Sequence, residues 1–493
     1  MKYCIEEKGV SVVHKEVQQR LVAIGAKLER YDNRTSHYRQ NRLFETNQKK
    51  LFDELDGVER EMVVPDAEES TKIWSEIWDN SVKHKKNPEW LKNVEDELAG
   101  EGVQEDIRIE TPTLRKQIRK IPNWKSPRSD GGQGYWIKNL TNLHGKIAIQ
   151  VDKCLQENSV PLWMVTGKTV LCVKDLAKGS AVDNFRPITC LPLLWKLLTG
   201  IIAEKLYNYL EEAALLTWEQ KGCRKGSRGT KDQLLIDKMI LKNCKKRLTS
   251  LAVAWIDYRK AYDAVPHSWI EKCSDMFGIA VNVKSFISES VKKWNTELNA
   301  GQTRLGNVKI KRGIFQGDNK DQIDSLVNTV RIFSEDIKME FGLSKCGVLI
   351  IKRGKVVESD GLRMPDGAMM RKIEESGYKY LGVLEVDGIK HDQMKDQVKK
   401  EYTRRVRNIL KSKLNGGNII SAINSRAVSV VRYGTGIIKW TKNELEEMDR
   451  KTRKLMTMYG AQHPKADVDR LYLKRYDGGR GLLGVEDCVQ AEV

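Results

Sequence analysis

Cysteine gives this sequence no framework. Nine cysteines are scattered from Cys4 to Cys488, none forms a C-x-x-C pair, and the total is odd. That spacing supports neither a disulfide scaffold nor a zinc site, so reduced, intracellular thiols are expected. Long apolar runs are also missing. The opening MKYCIEEKG lacks the apolar core of a secretory signal. The most apolar stretch, residues 191–202, is interrupted by Lys196 and is too short to span a bilayer. No internal repeat and no low-complexity tract is visible, which excludes solenoids and wholesale disorder. What remains is a soluble, intracellular protein with no membrane partner.

What is present is length, apolar content and positive charge. The 493 residues are 40% hydrophobic, enough for two or three domains with real cores. Lys and Arg number 86 against 67 Asp and Glu, a formal net charge of +19. Such an imbalance points to a polyanionic partner, nucleic acid first and an anionic membrane surface second.

Val13, Val17, Leu21, Ile24 and Leu28 recur at helical spacing, with Lys15, Arg20, Lys27 and Arg30 between them. This predicts a basic amphipathic helix running into a second basic segment, YRQNRLF. A Pro-Asp break at Pro65 precedes another helix with Ile73, Trp74, Ile77 and Trp78 on one stripe, where tryptophan is a core residue. The acidic, glycine-containing residues 95–105 read as a linker. Shorter elements of mixed strand and helix character follow, and from Lys395 the chain is helical and basic again, in KKEYTRRVRNILKSK and RKTRK. The resulting division is a basic helical region over 1–64, a helical segment and linker over 65–110, a mixed region over 111–390 and a helical region over 391–493.

The segment richest in chemistry is LAVAWIDYRKAYDAV, residues 251–265. Its apolar run predicts a buried strand, with Asp257 at the strand end and a turn entering a helix. Standing alone, Asp257 reads first as a helix N-cap. It does not stand alone. In chain order the sequence contains NWKSPRSDG (123–131), TVLCVKDLAKGSAVDNFRPI (169–188), EQKGCRKGSRGTKDQL (219–234), the D-Y-R-K-A-Y-D stretch, RGIFQGD (312–318) and YKYLGV (378–383). This ordered set resembles the reverse transcriptase of non-LTR (LINE-type) retrotransposons, from about residue 30 to the C-terminus.

The resemblance implies an α+β fold: right-hand polymerase-like fingers and palm between basic N-terminal and thumb-like C-terminal helices. It implies an RNA-directed DNA polymerase with an RNA template and DNA primer, or an RNA/DNA hybrid, as partner. Asp257 matches the catalytic, metal-binding aspartate of the first palm strand. Tyr262 matches the bulky residue beneath the incoming sugar. Arg186, and with it Lys174, match basic residues that hold the triphosphate, where a planar guanidinium offers a fork of donors. Gln316 and Gly317 match the loop against nucleotide and template, and Tyr380, Leu381 and Gly382 match the primer grip. Read without the resemblance, Arg186 is a surface charge and Tyr262 a core residue.

One family feature is missing. Joining nucleotides takes two magnesium ions, and Mg²⁺ demands oxygen ligands. In the resembled family these come from the first palm aspartate and from a hairpin bearing an aromatic-x-Asp-Asp signature. No Asp-Asp dipeptide occurs in this sequence. Ile323, Leu326, Val327, Val330, Phe333 and Ile337 already mark the following amphipathic helix, and only residues 318–322 separate it from Gly317. A helix plus a hairpin needs roughly 25 residues. Asp263 lies on a helix beyond the strand tip, and Asp318, Asp321 and Asp324 fall at a helix start, where acids are common for dipole reasons. Arg128 and Ser129 stand where the family has Gly-Pro before Asp130, weakening a turn.

The expectation is a fragment of a longer polyprotein that binds RNA and DNA, has a doubtful magnesium site and makes no RNA-templated DNA. The strand ending at Asp257 is expected to lose its neighbours. The alternatives are an active polymerase whose missing segment is a gene-model error, and an unstable remnant without function.

Overall fold

At Asp66 the side chain accepts a hydrogen bond from the Glu69 N–H at 2.7 Å, and the helix Ala67–Trp78 starts there. Glu68 and Glu69 in its first turn meet the positive end of the helix dipole. The Pro-Asp break therefore does what its composition suggests, and Trp74 and Trp78, one turn apart, are buried against each other with ring centroids 4.6 Å apart. The computed structural model describes residues 10–57, 63–100, 102–124, 130–175, 178–219, 221, 224–301, 303–315, 334–357, 362–363, 369–373, 377–386 and 388–492. Helix and sheet are mixed, as an α+β protein requires.

The chain divides into two units, residues 61–378 and residues 1–60 together with 379–493. The first is built on two sheets and a helical layer. In the larger helical core, Leu114 and Ile118 from Thr111–Lys120, Leu155 from His144–Gln156, Leu197 and Leu198 from Leu193–Glu212, and Phe286 from Val281–Lys293 are fully or almost fully buried together. Asp130 ties this layer to its turn. One carboxylate oxygen accepts from Gly132 N–H at 3.0 Å and the other from Leu193 N–H, in the first turn of its helix, at 2.9 Å. Arg128 and Ser129 lie outside the described residues.

The first sheet has the order β2 (Phe185–Cys190), β1 (Thr166–Val173), β4 (Asn295–Ala300), β5 (Thr303–Lys309). β1 runs antiparallel to β2 and parallel to β4. Leu171, Phe185, Leu298 and Val308 pack with Trp74 and Trp78 into its core. The second sheet has the order β3 (Leu251–Trp255), β6 (Gly347–Lys352), β9 (Met369–Lys372), β8 (Leu362–Arg363), with β7 (Lys355–Val356) hairpinned onto β6.

The strand that ends before Asp257 is thus not left without neighbours. β3 pairs antiparallel with β6 over its whole length, from Leu251 opposite Ile351 to Trp255 opposite Gly347. The physical reason is that residues 347–351 form an equally long apolar run, which satisfies the backbone and buries Val348, Leu349 and Ile351. Gly347 leaves room at the end of this pair for the Tyr378 ring, which stacks on Trp255 at 5.2 Å. A second correction concerns the acidic residues 95–105, which begin inside the helix Glu89–Leu98 rather than in a linker. The helix expected around residues 323–337 lies almost wholly outside the described residues.

In the other unit the helix Val10–Thr46 is continuous, so the two basic segments of the sequence are one helix. Val13 is buried, whereas Leu21, Ile24 and Leu28 of the apolar stripe are exposed. The helices His391–Lys411, Val428–Tyr433 and Lys442–Met458 bury Val398, Tyr402, Val406, Val428, Leu445 and Met448. Lys442–Met458 starts at a capping box in which Thr441 and Glu444 satisfy each other's backbone N–H groups. No helix among the described residues is long and apolar enough to cross a membrane.

Candidate functional site

Asp257 stands two residues beyond β3, where the backbone is clamped from the side of β6. Its N–H points at Cys346 Sγ (3.4 Å) and its carbonyl accepts from Gly342 N–H (2.7 Å). A Cβ on Gly342 would come within 3.3 Å of that carbonyl. The clamp sets the carboxylate opposite Lys345, with Nζ 2.9 Å from Oδ2. The aspartate side chain is 39% exposed, so the pair is open to solvent and to ligands.

Lys345 also bears on a second predicted residue. Lys174 follows β1, and its ammonium donates to the Asp183 carbonyl at 2.6 Å. Arg186 lies on the adjacent strand, opposite Cys172, and is exposed. Burial first, then the charges of Arg186 and Lys345, hold the Lys174 ammonium below the usual lysine range. Lys174, Arg186 and Asp257 therefore share one electrostatic neighbourhood through Lys345.

Lys260 and Asp263 extend it. The Lys260 ammonium lies 4.5 Å from the Trp74 ring centroid, a cation–π contact. Burial pushes its pKa down against the pull of Asp263. Asp263 is buried, and Trp78 Nε1–H donates to its Oδ1 at 3.1 Å. Burial pushes its carboxyl up to about 6, outweighing the Trp78 hydrogen bond and the charges of Lys260 and Lys174.

Tyr262 is half-buried on the short helix Ala261–Ala264. Its carbonyl accepts from Ile314 N–H at 2.8 Å, while Gly313 N–H donates to Val265 and Arg312 Nε–H to Ala264, both at 2.7 Å. Gly313 has φ +86°, and a Cβ there would lie 2.6 Å from the Asp263 carbonyl oxygen, so glycine is required. The start of the RGIFQGD stretch is thereby fastened to the helix bearing Tyr262. Gln316 and Gly317 lie outside the described residues.

Tyr380 ends β10 (Tyr378–Tyr380), and Leu381 and Gly382 form the turn into β11 (Val383–Glu385). Leu381 (φ 46°) and Gly382 (φ 85°) are both left-handed. Tyr433 braces the turn: its hydroxyl donates to the Leu381 carbonyl at 2.6 Å, and its ring would meet a Gly382 Cβ at 3.7 Å.

Sequence reasoning missed Lys345, Lys260 and Tyr433. For Lys345 the one available signal is its place just ahead of the apolar run 347–351, which becomes meaningful only once that run is paired with β3.

A pair of magnesium ions needs several converging oxygens. Among the described residues no three His, Cys, Asp or Glu side chains come together as a metal site. Asp257 faces an ammonium, and Asp263 is buried against an indole N–H. These donors do not fit a magnesium pair. The cations Lys174, Arg186, Lys260 and Lys345 suit phosphate oxygens.

No family model matches the chain. It is 31% identical over 212 residues to the retrovirus-related Pol polyprotein from type-1 retrotransposable element R2 of Popillia japonica, a match covering 42% of this chain and 28% of that polyprotein. It is 22% identical over 269 residues to the retrovirus-related Pol polyprotein from type-2 retrotransposable element R2DM of Drosophila melanogaster, covering 54% of this chain and 24% of that one. These similarities support a reverse-transcriptase-like protein of the non-LTR retrotransposon kind. Both of these similar proteins are Pol polyproteins of R2 elements, and the chain spans only about a quarter of their length.

Proposed function

We propose that this chain binds RNA and DNA through phosphate contacts and does not carry out RNA-templated DNA synthesis. The observation that carries the reading is the Asp257–Lys345 pair, which sets an ammonium at 2.9 Å from the one carboxylate matched to the catalytic aspartate. A magnesium ion there would have to displace Lys345 and recruit further carboxylates, and the sequence lacks the Asp-Asp hairpin that supplies them in the resembled family. In this reading the two sheets of residues 61–378 are fingers and an incomplete palm. Lys174 and Arg186 at the end of the β1–β2 hairpin take phosphate oxygens, with Lys260 and Lys345 adding charge behind them.

A basic groove in the other unit supports the same reading. It is a depression of about 330 Å³ whose lining includes Lys399, Lys400, Arg404, Arg407, Lys411 and Lys451. Cations from two helices at this density suit a nucleic-acid backbone, with Arg and Lys neutralising successive phosphates.

The test is Mg²⁺-dependent primer extension on an RNA template, run beside equilibrium binding of the same primer–template. Neither the wild type nor Asp257→Ala is expected to extend the primer, and both are expected to bind it. Extension by the wild type that Asp257→Ala lacks overturns the inactivity. Absence of primer–template binding by either protein overturns the binding.

A further inference from the structure

Within the helix Val10–Thr46, every residue from 18 to 35 is exposed. That is about five turns of helix standing clear of the core. A helix of this length is marginal in water unless an apolar face is packed. Such a face is present and open: Leu21, Ile24, Leu28, Tyr31 and Tyr38 are between 56% and 67% exposed.

The spacing of this face says what kind of surface covers it. From Val17 the steps to Leu21, Ile24, Leu28, Tyr31, Thr35 and Tyr38 alternate between four and three residues. A strict seven-residue repeat is the pattern of a helix that supercoils on another helix. Leu21, Leu28 and Thr35 then occupy a positions, and Val17, Ile24, Tyr31 and Tyr38 occupy d positions. Tyr31 and Tyr38 alone offer on the order of 300 Å². With the other side chains of the seam the face approaches the roughly 800 Å² per partner of a stable interface.

The flanking charges select the partner and its direction. In a parallel pair of such helices a g residue meets the e residue of the partner's next heptad. Lys27 is at g and Asp32 at the following e, so two copies side by side make this ion pair twice. Among the described residues neither Lys27 nor Asp32 has an ion-pair partner. Arg34 would meet Arg39, whose charge Glu54 already offsets at 2.5 Å. An antiparallel pair would instead set Lys27 against Lys27 and Arg20 against Arg34. The rest of the unit also leaves the seam clear. Gln40 accepts from Lys413 N–H at 2.6 Å and Phe44 packs edge-on to Phe52 at 6.3 Å. These two anchors fall at f and c, on the side of the helix away from a and d.

We infer that the helix Val10–Thr46 packs in parallel on the same helix of a second copy of this chain. Leu21, Ile24, Leu28 and Tyr31 fill the seam, and Lys27 of each copy pairs with Asp32 of the other. An apolar stripe flanked by cations also suits an anionic lipid surface. The seven-residue repeat and the acid at position 32 favour a second helix.

The nuclease-treated full chain is sedimented from about 0.5 to 50 µM, because the population of an associated state depends on protomer concentration. The wild type is expected to pass from monomer to dimer across this range. Leu21→Glu/Leu28→Glu is expected to stay monomeric throughout. Its thermal melt should match that of the dilute wild type, since both leucines are exposed in the monomer. Lys27→Asp and Asp32→Lys each set two like-charge pairs across the seam, and each is expected to raise the dissociation constant about tenfold. Combining them restores opposite charges and is expected to return it to within about threefold of the wild type. Residues 27 and 32 are not neighbours on one helix, so this rescue reports contact between copies. A wild type that stays monomeric at the highest concentration overturns the inference. So does association that survives in the double leucine variant, or charge reversals that weaken it without rescue. A monomer that sediments with phosphatidylserine vesicles, and no longer does so in the double leucine variant, gives the stripe to a membrane and overturns the second copy.

Discussion

Six positions apart, Asp257 and Asp263 live under opposite conditions. The first is open to solvent and paired with Lys345. The second is 5% exposed, held by Trp78 and pushed up to about 6. An acid whose pKa is higher folded than unfolded binds more protons in the folded state between the two values. The folded state is therefore favoured by Asp263 at low pH, loses that advantage as pH rises from about 4 to 6, and carries the full penalty above about 6. At about 1.4 kcal/mol per pKa unit the penalty at pH 8 is roughly 3 kcal/mol. Asp263→Asn keeps an oxygen for the Trp78 N–H and removes the buried charge. The variant is expected to melt higher than the wild type at pH 8, by about 1–3 kcal/mol after the loss of attraction to Lys260. The gap should close at pH 3.5, below the unfolded value. Parallel thermal melts at both pH values check this, and a gap that stays constant with pH would remove Asp263 as its source. None of this was legible in the sequence, where Asp263 reads only as a helical acid beyond the strand tip. Its burial depends on Trp78, 185 residues away.

At the scale of elements, local chemistry was readable and long-range pairing was not. The helix Ala67–Trp78 follows from Asp66 and its tryptophan stripe, and β3 follows from the apolar run that precedes Asp257. The partner of β3 did not follow, because β6 lies about a hundred residues downstream and any apolar run of equal length could have served. The stripe Leu21–Ile24–Leu28 had the periodicity of a buried face and is exposed, since periodicity reports which residues align and not what covers them. Helix-to-helix ties by single polar residues were equally invisible. Asp56, just after the helix Gln48–Leu55, has a side chain only 12% exposed and accepts from Asn408 at 2.9 Å and Arg404 at 3.0 Å, with Arg426 paired to its other oxygen. Arg426 also lies over the Phe52 ring at 4.4 Å. Burial works against the charge on Asp56, but these partners outweigh it and hold its carboxyl below the usual range. The stabilisation is present above about pH 4 and lost as pH falls through the lowered value. Asp56→Asn should cost about 2–4 kcal/mol, because it strands two guanidiniums around a neutral amide. Urea unfolding at pH 7 and pH 3 measures it. A large cost at pH 7 that shrinks at pH 3 is the expected result, and equal costs would mean that shape, not charge, makes the tie.

Across the whole molecule, the charge of +19 was legible at once, yet where it concentrates was not. The clusters KKEYTRRVRNILKSK and RKTRK lie on different helices, and only the fold brings Lys451 to the face of His391–Lys411 that carries Lys400, Arg407 and Lys411. This makes a quantitative prediction for nucleic-acid binding. Each phosphate neutralised releases counterion, so the logarithm of the binding constant falls with the logarithm of salt concentration by about 0.9 per contact on duplex. Replacing Lys400 and Arg407 with glutamate removes two such contacts and adds repulsion. The slope for primer–template is expected to become shallower by about 2, and affinity in 100 mM salt to fall at least tenfold. Net charge drops by four in the double variant, so diffuse attraction alone would also lower affinity. A control with two exposed lysines outside the groove, Lys153→Glu and Lys92→Glu, changes the net charge equally. If the charge of the molecule acts as a whole, both double variants weaken binding alike. If the groove holds the backbone, only the groove variant loses the slope, and binding to the control falls by a smaller factor.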